Sequence, residues 1–259
     1  MPTLIYPSPI FGPVISRRLG ISLGINLQPD DGKICTFDCL YCECGFNRNH
    51  KPIHKRPTRE QVFTNLQHAL HEMRQKGKVL NDICFAGNGE PTAHPEFHSI
   101  VTDTMELRDN FYPKATVSVL SNSTFIHHDN VRQALMMVDN NILKLDTVDP
   151  DYIRLLDRPT TKQYDIHRIL NNMLKFNGQL SIQTMFLKGH YNGVSLDNTL
   201  DSYVQPWLNA IKKLRPKMVM IYTIDRETPV KTLLKATPKE LDAIKNKVES
   251  IGLSCSVAY

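Results

Sequence analysis

The sequence predicts an α/β fold, a partial (βα)6 barrel of parallel strands with helices outside. Short apolar runs alternate with longer segments in which apolar residues recur at helical spacing, and this alternation is typical of a parallel sheet with crossover helices. The intervals between successive runs suit βα units. Of the 259 residues, 41% are hydrophobic and 22% charged, a composition that excludes disordered and fibrous proteins.

Six runs are predicted as strands, whereas a complete barrel has eight, so an open barrel is expected. A seventh run, 253–257, is predicted as an edge strand. We expect one domain over 1–259, with an N-terminal extension at 1–19, a barrel core at 20–224 and a C-terminal helix and edge strand at 225–259. The six predicted strands are 20–27, 82–86, 116–120, 142–145, 180–186 and 218–223.

Six helices are predicted between and after these strands. The first begins at Thr58, where Thr-Arg-Glu-Gln resembles a capping box. The last begins at Thr237-Pro238, because Pro is favoured at the first position of a helix. The predicted helices are 58–77, 96–108, 130–138, 164–176, 198–214 and 238–251.

The composition predicts a cytoplasmic protein without membrane contact. The longest unbroken apolar runs, such as 218–222, are far shorter than the ~20 residues of a membrane span. Prolines punctuate the apolar N-terminus and Arg17 and Arg18 follow it, unlike in a secretory signal. The net charge of +5 mildly favours anionic partners and does not establish nucleic-acid binding.

The cysteines carry the strongest functional signal. Three of them form C-x3-C-x2-C on one short loop, and a disulfide scaffold would instead spread its cysteines along a shorter chain. A structural zinc site normally has four protein ligands, whereas an iron-sulfur cluster held by three thiolates keeps one iron open. Zinc with Cys44 or His50 as a fourth ligand is the alternative. The six cysteines are Cys35, Cys39, Cys42, Cys44, Cys84 and Cys255.

Polar segments follow three consecutive predicted strands. The cysteine loop follows the first, Gly87-Asn-Gly-Glu90 follows the second, and Ser121-Asn122 follows the third. Ligands of parallel α/β folds bind at the C-terminal ends of the strands. We therefore expect these three segments to meet on one face.

Cys35, Cys39 and Cys42, with Tyr41 as the aromatic residue, resemble the C-x3-C-x-Φ-C motif of the radical S-adenosylmethionine (SAM) superfamily. The resemblance implies that the three thiolates bind a [4Fe-4S] cluster whose open iron is chelated by the amino and carboxylate groups of SAM. It also implies reductive cleavage of SAM to a 5′-deoxyadenosyl radical, which abstracts hydrogen from a substrate that the sequence does not identify.

Gly87-Asn88-Gly89-Glu90 resembles the Gly-Gly-Glu motif of that superfamily, with Asn88 in place of its first Gly. The resemblance implies that the glycines let the backbone approach SAM and that Glu90 accepts a hydrogen bond from its ammonium group. Taken alone, the same four residues are typical of a tight turn before a helix.

Four further residues are candidate SAM contacts. Ser121 and Asn122 resemble a ribose-contacting position, although alone they would predict an ordinary turn. Gln183 and Met185 lie on a predicted strand and face either the SAM pocket or the core.

A closer resemblance covers most of the chain, to a bacterial group related to the tRNA-wyosine synthases. Archaeal wyosine synthases carry a second cluster on additional N-terminal cysteines, which residues 1–34 lack. The resemblance therefore predicts radical SAM chemistry without naming a substrate. It rests on the segments 16–27, 39–45, 144–146 and 221–226.

Charged residues beside or within strands are candidate substrate contacts, because a charge facing a barrel interior is costly unless it is paired. Asp146 and Arg226 are the predicted catalytic residues. The alternative is that Lys144 and Asp146 point outward or pair with each other. The wider set of candidates is Arg17, Arg18, Lys144, Asp146, Asp225 and Arg226.

The segment 45–59 carries five basic residues and no acidic one. It is either solvated surface or a platform for RNA or a phosphorylated small molecule, on which Phe46 would stack against a base. The expected electron donor is a protein such as flavodoxin or ferredoxin. The alternatives to direct substrate modification are an activase that installs a glycyl radical on a partner protein and a metal-stabilised binding module without catalysis.

Overall fold

The chain is described from a computed structural model that covers residues 4–49 and 51–259. Its main sheet has eight strands in the order β1-β2-β3-β4-β5-β6-β9-β11, of which β1 is antiparallel and the rest are parallel. These strands are β1 (Ile10–Ser16), β2 (Gly20–Ile25), β3 (Asp82–Phe85), β4 (Thr116–Ser121), β5 (Asn140–Lys144), β6 (Ser181–Met185), β9 (Met218–Tyr222) and β11 (Cys255–Ala258).

The sheet curls into a half-barrel with helices around it, so the predicted α/β partial barrel is confirmed. All six predicted helices and the C-terminal edge strand are present. None of the described helices is long and apolar enough to cross a membrane. The helices are α1 (Arg59–Gln75), α2 (Phe97–Phe111), α3 (Asp129–Met137), α4 (Pro150–Leu156), α5 (Ile166–Leu174), α6 (Asp201–Leu214) and α7 (Pro238–Ser250).

The hydrophobic core lies between the sheet and the helices. Thr58 closes a capping box with Gln61 and so starts α1, whose buried side chains lie at helical spacing. In β3, Ile83 and Phe85 join that core, while Asp82 accepts a hydrogen bond from Ser118 Oγ of the neighbouring strand. Alternation along the strand therefore separates an apolar face from a polar one.

The structure adds elements that the sequence reading missed. Strand β1 lies within the segment predicted as an N-terminal extension and pairs with β2. Helix α4 follows β5. A separate three-stranded antiparallel sheet has the order β10-β7-β8, with β7 (Leu187–Tyr191), β8 (Val194–Asp197) and β10 (Leu233–Lys235). The division of the chain into one domain with the boundaries given above stays a prediction.

Candidate active site

The expected convergence of polar segments occurs at the C-terminal ends of β2 to β5, which are neighbours in the sheet. The cysteine loop follows β2, Glu90 follows β3, Asn122 follows β4 and Asp146 follows β5. A second, smaller apolar cluster that includes Leu40 lies beside these residues.

The cysteine loop is fixed by backbone hydrogen bonds on two sides. On one side, Ile34 N–H donates to Asn88 O at 3.0 Å and forms a bridge with Gly89. On the other, Leu40 N–H donates to Leu156 O at 2.9 Å and Asp38 N–H donates to Asp157 O at 3.0 Å. These hydrogen bonds tie the backbone of the loop to the Glu90 loop on one side and to the end of α4 on the other.

The three motif cysteines are free and partly exposed. A metal ion could be held by three or more potential ligand atoms that all lie within 4.8 Å of each other. Within residues 4–49 and 51–259, one such group occurs, formed by Asp30, Asp31 and His54. At least one pair of the three motif sulfur atoms therefore lies more than 4.8 Å apart, farther than the ~3.8 Å that tetrahedral zinc with ~2.3 Å bonds requires. This wider spacing fits a multi-iron cluster better than a single ion. His50, the alternative zinc ligand, lies outside the described residues.

A buried lysine that the sequence reading missed, Lys33, lies among the cysteines. Its side chain is 1% exposed and its Nζ donates to Gly45 O at 2.7 Å. Burial lowers the pKa of Lys33, but the nearby Cys42, Cys35 and Cys39 outweigh that effect and raise it. Lys33 therefore stays charged beside three groups that become anionic when they bind a metal.

The same environment acts on the thiols. A hydrogen bond from Cys44 lowers the pKa of Cys42, although burial opposes it, and Lys33 lowers that pKa further. Burial raises the pKa of Cys35 to about 11. Cys44 lies against the Glu90 loop, where its Sγ is 3.4 Å from Gly87 O.

Glu90 is buried, with 2% of its surface exposed. Its Oε1 accepts hydrogen bonds from Thr92 N–H at 3.1 Å and Ser121 Oγ at 2.8 Å, and its Oε2 accepts from Asn122 N–H at 2.6 Å. Among the residues that the structure describes, no basic side chain forms an ion pair with it. Burial raises the pKa of Glu90, and these hydrogen bonds partly offset the shift.

The two glycines of the motif face protein. A Cβ at Gly89 would lie 1.9 Å from Ile34 O, and one at Gly87 would lie 2.8 Å from Asn26 Cγ. Both also have positive φ angles, 141° at Gly89 and 124° at Gly87. Their absent side chains therefore let the Glu90 loop pack against the cysteine loop and against Asn26, which follows β2; the expected approach to SAM stays a prediction.

Asn88, which takes the place of a Gly in the motif, is fully buried and its amide is engaged by the protein. Its Nδ2 donates to Tyr6 O and Pro29 O, both at 2.8 Å, and its Oδ1 accepts from Tyr6 N–H at 2.8 Å. The Asn88 side chain therefore holds the N-terminal segment against the Glu90 loop, and its contact with SAM stays a prediction.

Ser121 and Asn122 link Glu90 to the cysteine loop. Beyond their bonds to Glu90, Asn122 Nδ2 donates to Thr36 Oγ1 at 2.9 Å and lies 3.5 Å from Cys35 Sγ. The expected ribose contact is not tested by this geometry. The observed contacts give both residues a positioning role.

Lys144 and Asp146 pair with each other, the alternative that the sequence left open. Lys144 Nζ lies against Asp146 Oδ2 and 2.7 Å from Asp157 Oδ1, and Tyr41 O–H donates to Asp146 Oδ2. Asp146 Oδ1 accepts from Met185 N–H at 2.9 Å. All three charged side chains are less than 10% exposed. The group lies beside Cys39: burial raises the pKa of that thiol well above its ordinary value, and Lys144 offsets part of the shift.

The remaining candidates are divided between the interior and the rim. Gln183 Oε1 accepts from Arg18 Nη1 at 3.0 Å, and the Arg18 guanidinium lies 4.7 Å from the ring centroid of Tyr222. Met185 joins the smaller apolar cluster. Arg226 is half-exposed and pairs with Glu43 at 2.6 Å, so it does not face the interior of the half-barrel.

The basic segment 45–59 is partly committed to internal contacts. Phe46 is 6% exposed, and the guanidinium groups of Arg48 and Arg158 lie 5.7 and 4.9 Å from its ring centroid. It is therefore not available to stack on a base. Arg56 donates to Gln28 and Ala93, and Arg59 pairs with Asp103 at 2.7 Å.

Three residues of the site carried little signal in the sequence. Lys33 precedes the first cysteine by two positions, while Asp157 and Arg158 follow a helix that was not predicted. The Asp149-Pro150 pair, an N-cap followed by Pro at the first helical position, is the signal that could have found that helix.

No family model matches the chain. It is 26% identical over 255 residues to a Brachyspira hyodysenteriae protein named GTPase Obg, covering 96% of this chain and 34% of that protein. It is 29% identical over 226 residues to a UPF0026 protein of Helicobacter pylori strain J99, covering 86% of this chain and 68% of the relative. The chain thus spans about a third of the first relative and about two thirds of the second.

Solved structures with a similar fold include radical SAM enzymes. A radical SAM methyltransferase from Sphaerobacter thermophilus aligns with a TM-score of 0.68 at 16% identity, covering 92% of this chain and 66% of that one. SuiB of Streptococcus suis bound to S-adenosylmethionine aligns with 0.63 at 13% identity, covering 91% and 50%. TYW1 with a lysine-pyruvate adduct aligns with 0.61 at 15% identity, covering 88% and 73%. The predicted resemblance to radical SAM enzymes is confirmed, and at these identities it shows the fold.

Proposed function

We propose that this chain is a radical SAM enzyme that cleaves SAM reductively and acts on a substrate still to be identified. The observation that carries the proposal is the direct connection between three free cysteines and a buried carboxylate that has no ion-pair partner within residues 4–49 and 51–259. Gly89 joins the two loops through Ile34, and Asn122 contacts both Glu90 and Cys35. A structural metal site alone would not need such a carboxylate.

Cys35, Cys39 and Cys42 would hold a [4Fe-4S] cluster as thiolates. Together with SAM, that cluster supplies one-electron cleavage of a carbon-sulfur bond, which yields methionine and a 5′-deoxyadenosyl radical. Lys33 partly offsets the negative charge of the three thiolates from a buried position. The protein's own part is to position these groups and to exclude water.

Glu90 would bind the ammonium group of SAM. A carboxylate has about four acceptor sites, and Oε2 accepts one hydrogen bond within the described chain, so acceptor capacity remains there. A ligand cation would also supply the opposite charge that the protein does not provide. Thr92, Ser121 and Asn122 orient the carboxylate before SAM arrives.

Asp146 and Arg226 remain the proposed substrate contacts, the first inside the half-barrel and the second on its rim. The space between the cluster and Asp146 would be lined by Tyr41, Gln183 and Met185. The backbone N–H of Met185 donates to the Asp146 carboxylate and so already orients it. We further propose flavodoxin or ferredoxin as the electron donor and the cytoplasm as the location. A protein electron donor and a reducing compartment both suit a cluster held by cysteines that form no disulfide.

The test is anaerobic reconstitution with iron and sulfide, chemical reduction, and chromatographic assay of 5′-deoxyadenosine with and without SAM. Cys39→Ala is expected to abolish product and to lower bound iron. Cys255→Ala is the matched control, because Cys255 lies on β11 outside the loop. Tight zinc binding with neither a cluster nor SAM binding would contradict the proposal and leave a metal-stabilised binding module.

A further inference from the structure

A cavity of about 740 Å³ lies beside the cysteine loop, between α4 and the start of α5. Its size falls within the range of ~300–1,000 Å³ typical of sites for small molecules. Asp38, which stands between Cys35 and Cys39 in the chain, lines one wall, and residues 158–162 line another. The cysteine loop is hydrogen-bonded to the overlapping segment 156–160.

Cationic side chains outnumber anionic ones around the cavity. The cations are Arg154, Arg158 and Lys162, and the anions are Asp38 and Asp165. Both carboxylates already accept backbone hydrogen bonds, Asp38 from Asn47 N–H at 2.7 Å and Asp165 from the N–H of His167 at 2.9 Å. Arg154 pairs with Asp151. Backbone hydrogen bonds leave both carboxylates charged, but Lys33 Nζ lies 3.7 Å from Asp38 Oδ1 and balances its charge. Arg158 and Lys162 therefore exceed the remaining carboxylate, that of Asp165, by one positive charge, which favours an anionic ligand.

Arg158 is held in place without being fully satisfied. Its guanidinium lies 4.9 Å from the ring centroid of Phe46 and 5.9 Å from that of Tyr191. Its Nη2 is 3.6 Å from Asp38 Oδ2, too far for a good hydrogen bond. Its Nη1 is closed off from solvent and has no hydrogen-bond partner among the described residues, while 29% of the side chain stays exposed and within reach of a ligand. Its φ of 52° is unusual for a residue with a side chain.

We propose that this cavity binds the phosphate group of a small organic phosphate, with Arg158 and Lys162 as its ligands. A guanidinium presents two parallel donors that match phosphate oxygens, and an ammonium adds a compact point charge. The inference rests on the proposed function and extends it by naming the substrate class. A phosphate anchored here leaves the rest of its molecule beside the cysteine loop.

An RNA substrate fits the same surface less well. The volume of about 740 Å³ suits one small ligand, whereas RNA needs an extended basic surface and exposed aromatic residues for stacking. In the adjoining segment 45–59, Phe46 is buried and both Arg56 and Arg59 are already bonded within the protein.

The test is calorimetric titration of the anaerobically reconstituted protein with inorganic pyrophosphate at constant ionic strength. We expect saturable binding at one site, weakened roughly tenfold or more by Arg158→Asn, since hydrogen bonds to charged groups are worth ~1.5–3 kcal/mol. Asn tolerates the left-handed backbone at this position. Lys162→Gln, at an exposed position, should weaken binding by a smaller factor.

The double variant Arg158→Asn, Lys162→Gln removes two positive charges from the cavity. Its matched control is the double variant Lys212→Gln, Lys213→Gln on α6, which removes two positive charges elsewhere. Absence of saturable pyrophosphate binding, or equal loss in both double variants, would overturn the inference. So would binding of a uridine oligonucleotide that Arg158→Asn weakens while pyrophosphate does not bind. Failure of SAM cleavage in the unaltered protein would instead contradict the proposed function and leave the pyrophosphate result standing.

Discussion

The ends of β3 and β5 each carry a buried carboxylate, and the two are stabilised in opposite ways. Glu90 and Asp146 are 2% and 3% exposed. Asp146 is paired with the ammonium of Lys144 and hydrogen-bonded by Tyr41 and Met185 N–H. Glu90 receives hydrogen bonds from neutral donors only.

The protein itself supplies the cation that balances the charge of Asp146, whereas a ligand would have to supply the cation that balances the charge of Glu90. Burying a charge is costly unless it is paired and hydrogen-bonded. At β5 the protein supplies the cation, so the group is self-contained. At β3 the orienting donors are present but the part of the chain that the structure describes supplies no cation, which is the arrangement expected of a binding site for an ammonium group.

Of the predicted losses of stability, the largest should follow removal of the Lys144 ammonium group. Lys144→Met leaves Asp146 and Asp157 buried without their cation, so the free energy of unfolding should fall by about 3–5 kcal/mol, measured by urea denaturation. Lys188→Met is the matched control, because its pair with Glu240 is partly exposed and should contribute less than ~1 kcal/mol. Equal losses of unfolding free energy in the two variants would show that the protein depends no more on the buried Lys144 pair than on a partly exposed one, and would contradict the account of Asp146.

The packing of the Glu90 loop on the cysteine loop should have the next largest effect. Gly89→Ala places a Cβ 1.9 Å from Ile34 O, so the unfolding free energy should fall by about 2–3 kcal/mol through strain and overpacking. Gly77→Ala also falls at a positive φ, but its Cβ would meet nothing within 4 Å. If both variants lose the same free energy of unfolding and bind the same amount of iron after reconstitution, close contact between the Glu90 loop and the cysteine loop is not required for stability or for iron binding.

The ionisation of Glu90 should produce a smaller, pH-dependent effect. Because burial raises the pKa of Glu90 from the ordinary 4.5, the SAM-free protein should lose stability relative to Glu90→Gln as pH rises from about 4.5 through the raised pKa. Urea midpoints at pH 5 and pH 8 measure the difference.

Glu240 provides a control of opposite sign. Lys188 and Thr237 lower its pKa to about 2 despite partial burial, so its contribution to stability should be lost as pH falls. A wild-type protein that gains stability over Glu90→Gln on going from pH 5 to pH 8 would contradict the account of Glu90.

The strands and helices of the half-barrel were predictable because each has its own periodicity and cap. Strand β1 was not, because Pro13 argues against a strand interior; the structure places it where the pairing with β2 shifts register. The β7-β8 hairpin did leave a signal, since Asn192-Gly193 is a favoured two-residue turn and both residues have positive φ.

The site was predictable to the extent that its residues follow strands. The motif cysteines, Glu90 and Asn122 all do. The burial of Lys33 among the thiols, the role of Asn88 as a clamp and the pairing of Lys144 with Asp157 depend on contacts between segments far apart in the chain, and hydrophobic periodicity carries no information about such contacts.

The central claim is that Glu90 binds the ammonium group of SAM beside a cluster held by the three cysteines. Calorimetric titration of SAM into the reconstituted, unreduced protein tests it most directly, with Glu90→Gln compared against the exposed Glu106→Gln. We predict that Glu90→Gln weakens SAM binding roughly tenfold or more at unchanged iron content, since a charge-assisted hydrogen bond is lost, and that Glu106→Gln binds as the unaltered protein does. Equal SAM affinity in all three proteins, or no SAM binding by the cluster-loaded protein, would contradict the account.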